Sequence, residues 1–211
     1  MTVPAAARAQ SLLFDYVGFD YEYPKFGPTF GSIGNGYQGV GEVQVVAAPL
    51  VSDQTNYQYT YFFDGLTASN VQTSGSFVII TYSGPGTLTV YEDSRSTGTA
   101  FDYGTNPPNA VAPPSFIDGT AILVGSLTNF RYVFNTSTGS GSFDADFSAT
   151  GGTQLSNLPT NQRDGWTFAG VTQNSNTIPT GYAHQVKGQT FLNPPLPTQN
   201  TSWGGLKRRY R

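Results

Sequence analysis

Apolar and polar residues alternate along most of this chain with a period of two, the spacing of β-strands. Leu12, Phe14 and Tyr16 fall on one face, and after a shift at Gly18 so do Phe19, Tyr21 and Tyr23, leaving Asp15, Asp20 and Glu22 on the other. Pro24, Gly27, Pro28 and Gly31 end that stretch. Gly34 to Gly39 fits G-x-G-x-x-G by spacing, but a strand-like run at 42–46 follows where a dinucleotide fingerprint needs a helix, so a glycine-rich turn is expected. Tyr57, Tyr59, Tyr61 and Phe63 form an aromatic stripe opposite Gln58, Thr60 and Phe62, and Asp64-Gly65 reads as a turn after it.

The most legible element spans residues 77–93: FVIITY, then SGPG, then TLTVYED. The glycines and proline of Ser83-Gly84-Pro85-Gly86 supply turn chemistry, and the segment reads as a hairpin. A four-residue loop sets Tyr82 against Thr87, Ile80 against Thr89 and Val78 against Tyr91, with Ile79, Thr81, Leu88 and Val90 on the core face.

Residues 94–115 hold Asn106-Pro107-Pro108-Asn109 and Pro113-Pro114 and predict a long irregular loop, of the kind that is functional or wrapped over a core. Strands are expected again at 120–124, 130–134, 142–149, 165–171 and 183–189. In the third of these Phe143, Ala145, Phe147 and Ala149 alternate with Ser142, Asp144, Asp146 and Ser148. The whole predicts an all-β chain with little helix and about nine to twelve antiparallel strands in a sandwich or jelly roll. Three parts are expected: a signal-peptide remnant at 1–9, where Ala7-Arg8-Ala9 has the small residues a signal peptidase reads; one β-domain at 10–192; and a Pro-rich tail with a basic end at 193–211.

Composition agrees with many strands and turns: 25 glycines, 14 prolines, 13 tyrosines and 15 phenylalanines, with only 11% charged residues. The formal net charge is -3, yet between Gln10 and Leu206 five basic residues face all 13 acids, while Lys207, Arg208, Arg209 and Arg211 crowd the end. An acidic body argues against nucleic-acid binding. Lack of cysteine excludes disulfides and thiolate chemistry, and no run has the length of a membrane-spanning helix. An outer-membrane barrel fits the length and alternation, but the prolines and the non-aromatic last residue disfavour it.

Candidate chemistry is sparse. His184 is the single histidine, no G-x-S-x-G elbow occurs, and one histidine without cysteine leaves little for zinc. A non-catalytic protein is the expectation. Tyr57, Tyr59 and Tyr61 would stack on sugar rings if exposed. Glu92 and Asp93, opening into the long loop that carries Asp102, form the first candidate ligand site. Asp144 and Asp146, one pleat apart on one strand face, are a candidate Ca²⁺ pair if a loop adds oxygens.

The runs F-I-D-G-T-A-I-L-V-G-S from Phe116, F-R-Y-V-F from Phe130, G-S-F-D-A-D-F-S-A-T-G-G from Gly141 and G-T-L-T-V-Y-E-D from Gly86 resemble the exported β-domains of bacterial PEP-CTERM-type surface proteins. The resemblance implies a secreted or cell-surface bacterial protein of the extracellular matrix. The chain departs from that family in lacking the V-P-E-P signal and hydrophobic anchor at its end. The functional expectation is a structural or adhesive surface component, self-assembling as a homo-oligomer, fibre or lattice through strand edges, the aromatic N-terminal segment or the basic tail. The alternative is a carbohydrate-binding or carbohydrate-active domain with a glycan partner.

Overall fold

The computed structural model describes residues 11–104 and 114–192. The segment expected to be a signal remnant and the tail with its basic end lie outside these. Nine strands form: β1 (Ser11–Glu22), β2 (Gly36–Val46), β3 (Tyr57–Ser74), β4 (Phe77–Ser83), β5 (Gly86–Ser94), β6 (Thr120–Asn135), β7 (Ser140–Gly151), β8 (Trp166–Gln173) and β9 (His184–Leu192). Among the described residues helix is limited to three single 3₁₀ turns.

The sheet runs β2-β1-β9-β8-β7-β6-β4-β3-β5, and the further pairings β2–β3 and β5–β6 close it on itself. Every pairing is antiparallel. The architecture is therefore a closed β-barrel of eight strand positions, in place of the expected sandwich. Alternation tells which face of a strand is buried. It does not tell whether that face meets a second sheet or the far wall of its own.

The eighth position is shared, because β4 and β5 do not pair with each other. β4 pairs with residues 67–74 of β3 and 131–135 of β6, whereas β5 pairs with residues 57–64 of β3 and 120–127 of β6. They run end to end in one direction, so the expected hairpin is a single broken strand. Ser83-Gly84-Pro85-Gly86 makes the break, and facing it β3 continues through Asp64-Gly65, with Gly65 at φ +79°. The actual hairpin turn is Gly75-Ser76, one strand earlier, with Gly75 at φ +59°. Ile80 and Tyr82 accordingly face the interior with Leu88 and Val90, while Thr81 is exposed and Ile79 half-buried. The runs expected at 120–124 and 130–134 are one 16-residue strand, bulged between Thr128 and Arg131, where Asn129 adopts φ +54°.

Aromatic rings fill the barrel. Tyr16, Tyr61, Phe63, Phe130, Phe143, Phe147 and Phe168 are all buried, and each such side chain contributes about 1.5–3 kcal/mol of apolar burial. An eight-strand interior is narrow, and glycines on adjacent strands make room. Gly18 pairs with Gly41 in register, and the Tyr61 ring lies over both: a Cβ on Gly18 would come within 2.7 Å of the Tyr61 hydroxyl, one on Gly41 within 2.7 Å of its Cε1. Gly188 accommodates Tyr16 and Gly125 accommodates Phe147 in the same way.

A second, smaller core lies outside the barrel. Phe19 and Tyr21 of β1, Val40 of β2 and Phe62 of β3 are covered by Phe101, Tyr103, Phe116 and Ile117 from the long β5–β6 connection and by Ile178 and Tyr182 before β9. The long loop thus wraps a core, and Thr60 fixes it by donating to the Phe116 carbonyl at 2.8 Å. Elsewhere the outer wall carries exposed Arg131, Asp144, Asp146 and Lys187, the reverse of the apolar exterior that lipid requires. No helix among the described residues is long and apolar enough to cross a membrane.

Candidate functional site

One end of the barrel is plugged by Leu50, Leu155 and Leu158, packed on its core. The other differs, because β3 runs on there past the first residue of β2, its residues 68–74 pairing with β4 alone, and the inner face of β3, β4 and β6 is only partly covered. The β1–β2 connection folds Phe30 across this mouth. Its ring meets Tyr132 at 5.3 Å, Tyr37 at 6.0 Å and Phe134 at 6.1 Å between centroids. Glu22, the last residue of β1, holds the connection in place: one carboxylate oxygen accepts from the Gly31 amide at 2.5 Å, the other from Asn35 Nδ2 at 2.9 Å. Buried Asn35 in turn accepts from the Phe26 and Gly27 amides at 2.6 and 3.3 Å. Burial raises the Glu22 carboxyl above its ordinary value, although both hydrogen bonds pull it down.

Between the connection and the ends of β3, β4 and β6 lies a cavity of about 670 Å³. Phe30, Val71, Val78 and Phe134 wall it, Thr73 and Thr136 supply hydroxyls, and Ile33, 66% exposed, stands at its rim.

Beneath Phe30 sits a buried polar cluster. Asp20 of β1 and His184, the first residue of β9, are partners in register and both point inward. Asp20 accepts three hydrogen bonds: from the His184 amide at 2.8 Å, from His184 Nδ1 at 3.0 Å and from the Tyr37 hydroxyl at 2.8 Å. Three donors offset the cost of placing a carboxylate where water does not reach. With Asp20 accepting from Nδ1–H, a neutral imidazole carries no proton on Nε2 and presents a lone pair there. Nε2 has no hydrogen-bond partner among the described residues. The rings nearest His184 are Phe30 at 4.6 Å and Phe134 at 4.8 Å, the two aromatics that also wall the cavity. No serine or threonine hydroxyl joins the imidazole among the described residues, so the cluster is an Asp–His–Tyr arrangement and differs from a serine-type triad.

The candidate residues read from the sequence are scattered by this fold. Tyr59 and Tyr61 line the barrel interior and only Tyr57, 37% exposed, reaches the surface. The Tyr59 hydroxyl donates to Glu92 at 2.6 Å; burial and that bond push it up to about 12. Glu92 and Asp93, opposite Tyr59 and Gln58 in register, point to opposite faces of β5; Asp93 accepts from Gln58 Nε2 at 3.0 Å. Asp102 closes a local turn by accepting from the Gly104 amide at 2.9 Å. Asp144 and Asp146 are exposed on the outer wall, and Asp146 accepts from Asn129 Nδ2 at 2.6 Å. Among the described residues no three histidine, aspartate or glutamate side chains form a metal-binding group.

Asp20 is the residue that sequence reasoning misplaced. A shift at Gly18 would put it on the polar face, but inward parity continues unbroken from Phe14 and Tyr16 through Gly18 to Asp20. That parity is the one signal that marks it as interior; its partner stands 164 positions away.

Fold and site together define a class: a closed antiparallel β-barrel of eight positions with an aromatic-packed interior and an apolar mouth above a buried Asp–His pair. No protein-family model matches the chain, and no match was found among curated proteins or solved structures.

Proposed function

We propose that this chain is an exported, non-catalytic binding barrel that takes a small, mainly apolar ligand at its mouth. The observation that carries the reading is the cavity of about 670 Å³ walled by Phe30, Val71, Val78 and Phe134, within the range of about 300–1,000 Å³ usual for small-molecule sites. Export draws support from the Ala7-Arg8-Ala9 sequence, the lack of cysteine and the likeness to PEP-CTERM-type surface proteins. A surface role is compatible with binding at the mouth. Assembly through strand edges finds little support, since each strand of the barrel has neighbours on both sides. Glycan stacking on the tyrosine stripe finds little either, since Tyr59 and Tyr61 are interior.

Titration with the apolar fluorophore N-phenyl-1-naphthylamine tests the reading. Saturable one-site binding is expected, weakened about tenfold or more by Val78→Asp and unchanged by Val171→Asp on the outer wall. Absence of saturable binding, or equal sensitivity to both substitutions, would overturn it.

A further inference from the structure

The mouth has a chemical preference as well as a shape. Resting on the binding reading above, we infer that the site selects ligands with a flat apolar body and a hydroxyl group, the hydroxyl donating to His184 Nε2.

Four observations converge on this. His184 is 4% exposed, yet Nε2 has no partner among the described residues. Unlike the buried unpaired hydroxyls of Tyr61 and Tyr82, Nε2 keeps accessible surface, so its lone pair is open to an incoming donor. Asp20, itself held by the Tyr37 hydroxyl, accepts from Nδ1–H, and in a neutral imidazole that leaves Nε2 as an acceptor. A ligand carbonyl or ether would meet lone pair with lone pair; a hydroxyl meets it with a proton. The route is short, since Phe30 and Phe134 both contact the imidazole and both wall the cavity. Finally, the walls are suited to a planar apolar body: two phenyl rings and two valines, with hydroxyls contributed by Ser32 and three threonines.

The half-buried Phe30 ring separates the cavity from the imidazole, so a bound ligand displaces it or takes its place against Phe134. Phe30 is carried by a connection between strands, where movement costs least. Binding alone is proposed; proton transfer to Nε2 is not required.

The test pairs two probes of similar body, 2-naphthol and 2-methoxynaphthalene, by calorimetry on the full chain. The native protein is expected to prefer 2-naphthol by about five- to tenfold, the scale of one net hydrogen bond. His184→Asn keeps an amide donor where Nδ1 stood, and so the bond to Asp20, but has nothing at Nε2; the preference should vanish while 2-methoxynaphthalene still binds. His184→Gln, which can set an amide oxygen near the Nε2 position, should restore part of it. Phe30→Ala should leave the preference intact and speed 2-naphthol association. Equal binding of both probes by native protein and by Phe30→Ala overturns the hydroxyl inference and leaves the pocket standing. Failure of both probes to bind any of these proteins overturns the pocket reading as well.

Discussion

Single residues decide how this barrel is filled. Gly18 and Gly41 face each other where Tyr61 needs space, and a Cβ on Gly18 would also lie 2.0 Å from the Val40 carbonyl oxygen, a backbone atom that cannot step aside. Gly18→Ala is therefore expected to destabilise the fold by about 2–3 kcal/mol or to prevent it, and Tyr61→Leu in the same background to recover little, because the backbone clash persists. Chemical denaturation of the three proteins measures this. At Glu22 the prediction concerns pH. Burial raises its folded value above the ordinary 4.5, so the stability linked to this group is fully present below 4.5 and is lost as pH rises through the raised value. Subtracting the Glu22→Gln stability curve from the native one between pH 4 and 7 should leave a difference that falls with rising pH. A flat difference would mean that the carboxyl is not desolvated.

Elements show how far patterning reaches. The strands in β1, β7 and β8 are legible from alternation, and the interior positions Phe143, Ala145, Phe147 and Ala149 fall where the pattern puts them. The 77–93 segment was equally legible as strand, and its pairing was not. A glycine-proline cluster can reverse a chain or merely interrupt a strand, and only the partners decide; here β3 and β6 are long enough to span both halves. The two arrangements differ in a measurable way. Interstrand nuclear Overhauser contacts should link Ile80 with Val71 and Tyr132 and Thr89 with Phe62 and Val124, as the register requires. A direct Ile80–Thr89 contact would restore the hairpin. The Asp20–His184 pair was illegible for a related reason: it joins the first and last strands, and its formation depends on ring closure, which no local pattern records.

At the scale of the molecule, closure explains the alkaline behaviour as well as the site. Tyr16, Tyr37, Tyr61 and Tyr82 sit in the barrel wall's inner layer, and burial holds each hydroxyl well above its ordinary 10. Stability from these groups is complete below pH 10 and is lost as pH rises through the raised folded values, so their ionisation should appear only with cooperative unfolding. Ultraviolet titration should show most tyrosines ionising together with loss of near-ultraviolet circular dichroism. The interior is packed with rings, and the cavity at the mouth lies between the Phe30 connection and the ends of β3, β4 and β6. The polar cluster beneath it carries an imidazole nitrogen without a partner among the described residues.

His184 is the single histidine of the chain, and so its ring nitrogens give an unambiguous signal in a ¹⁵N-labelled protein. For the neutral imidazole of the free protein the account predicts the proton on Nδ1 and a bare Nε2, with the Nε2 resonance moving saturably on addition of 2-naphthol and staying in place with 2-methoxynaphthalene. A proton found on Nε2 in the free protein, or an Nε2 resonance indifferent to bound 2-naphthol, would contradict it.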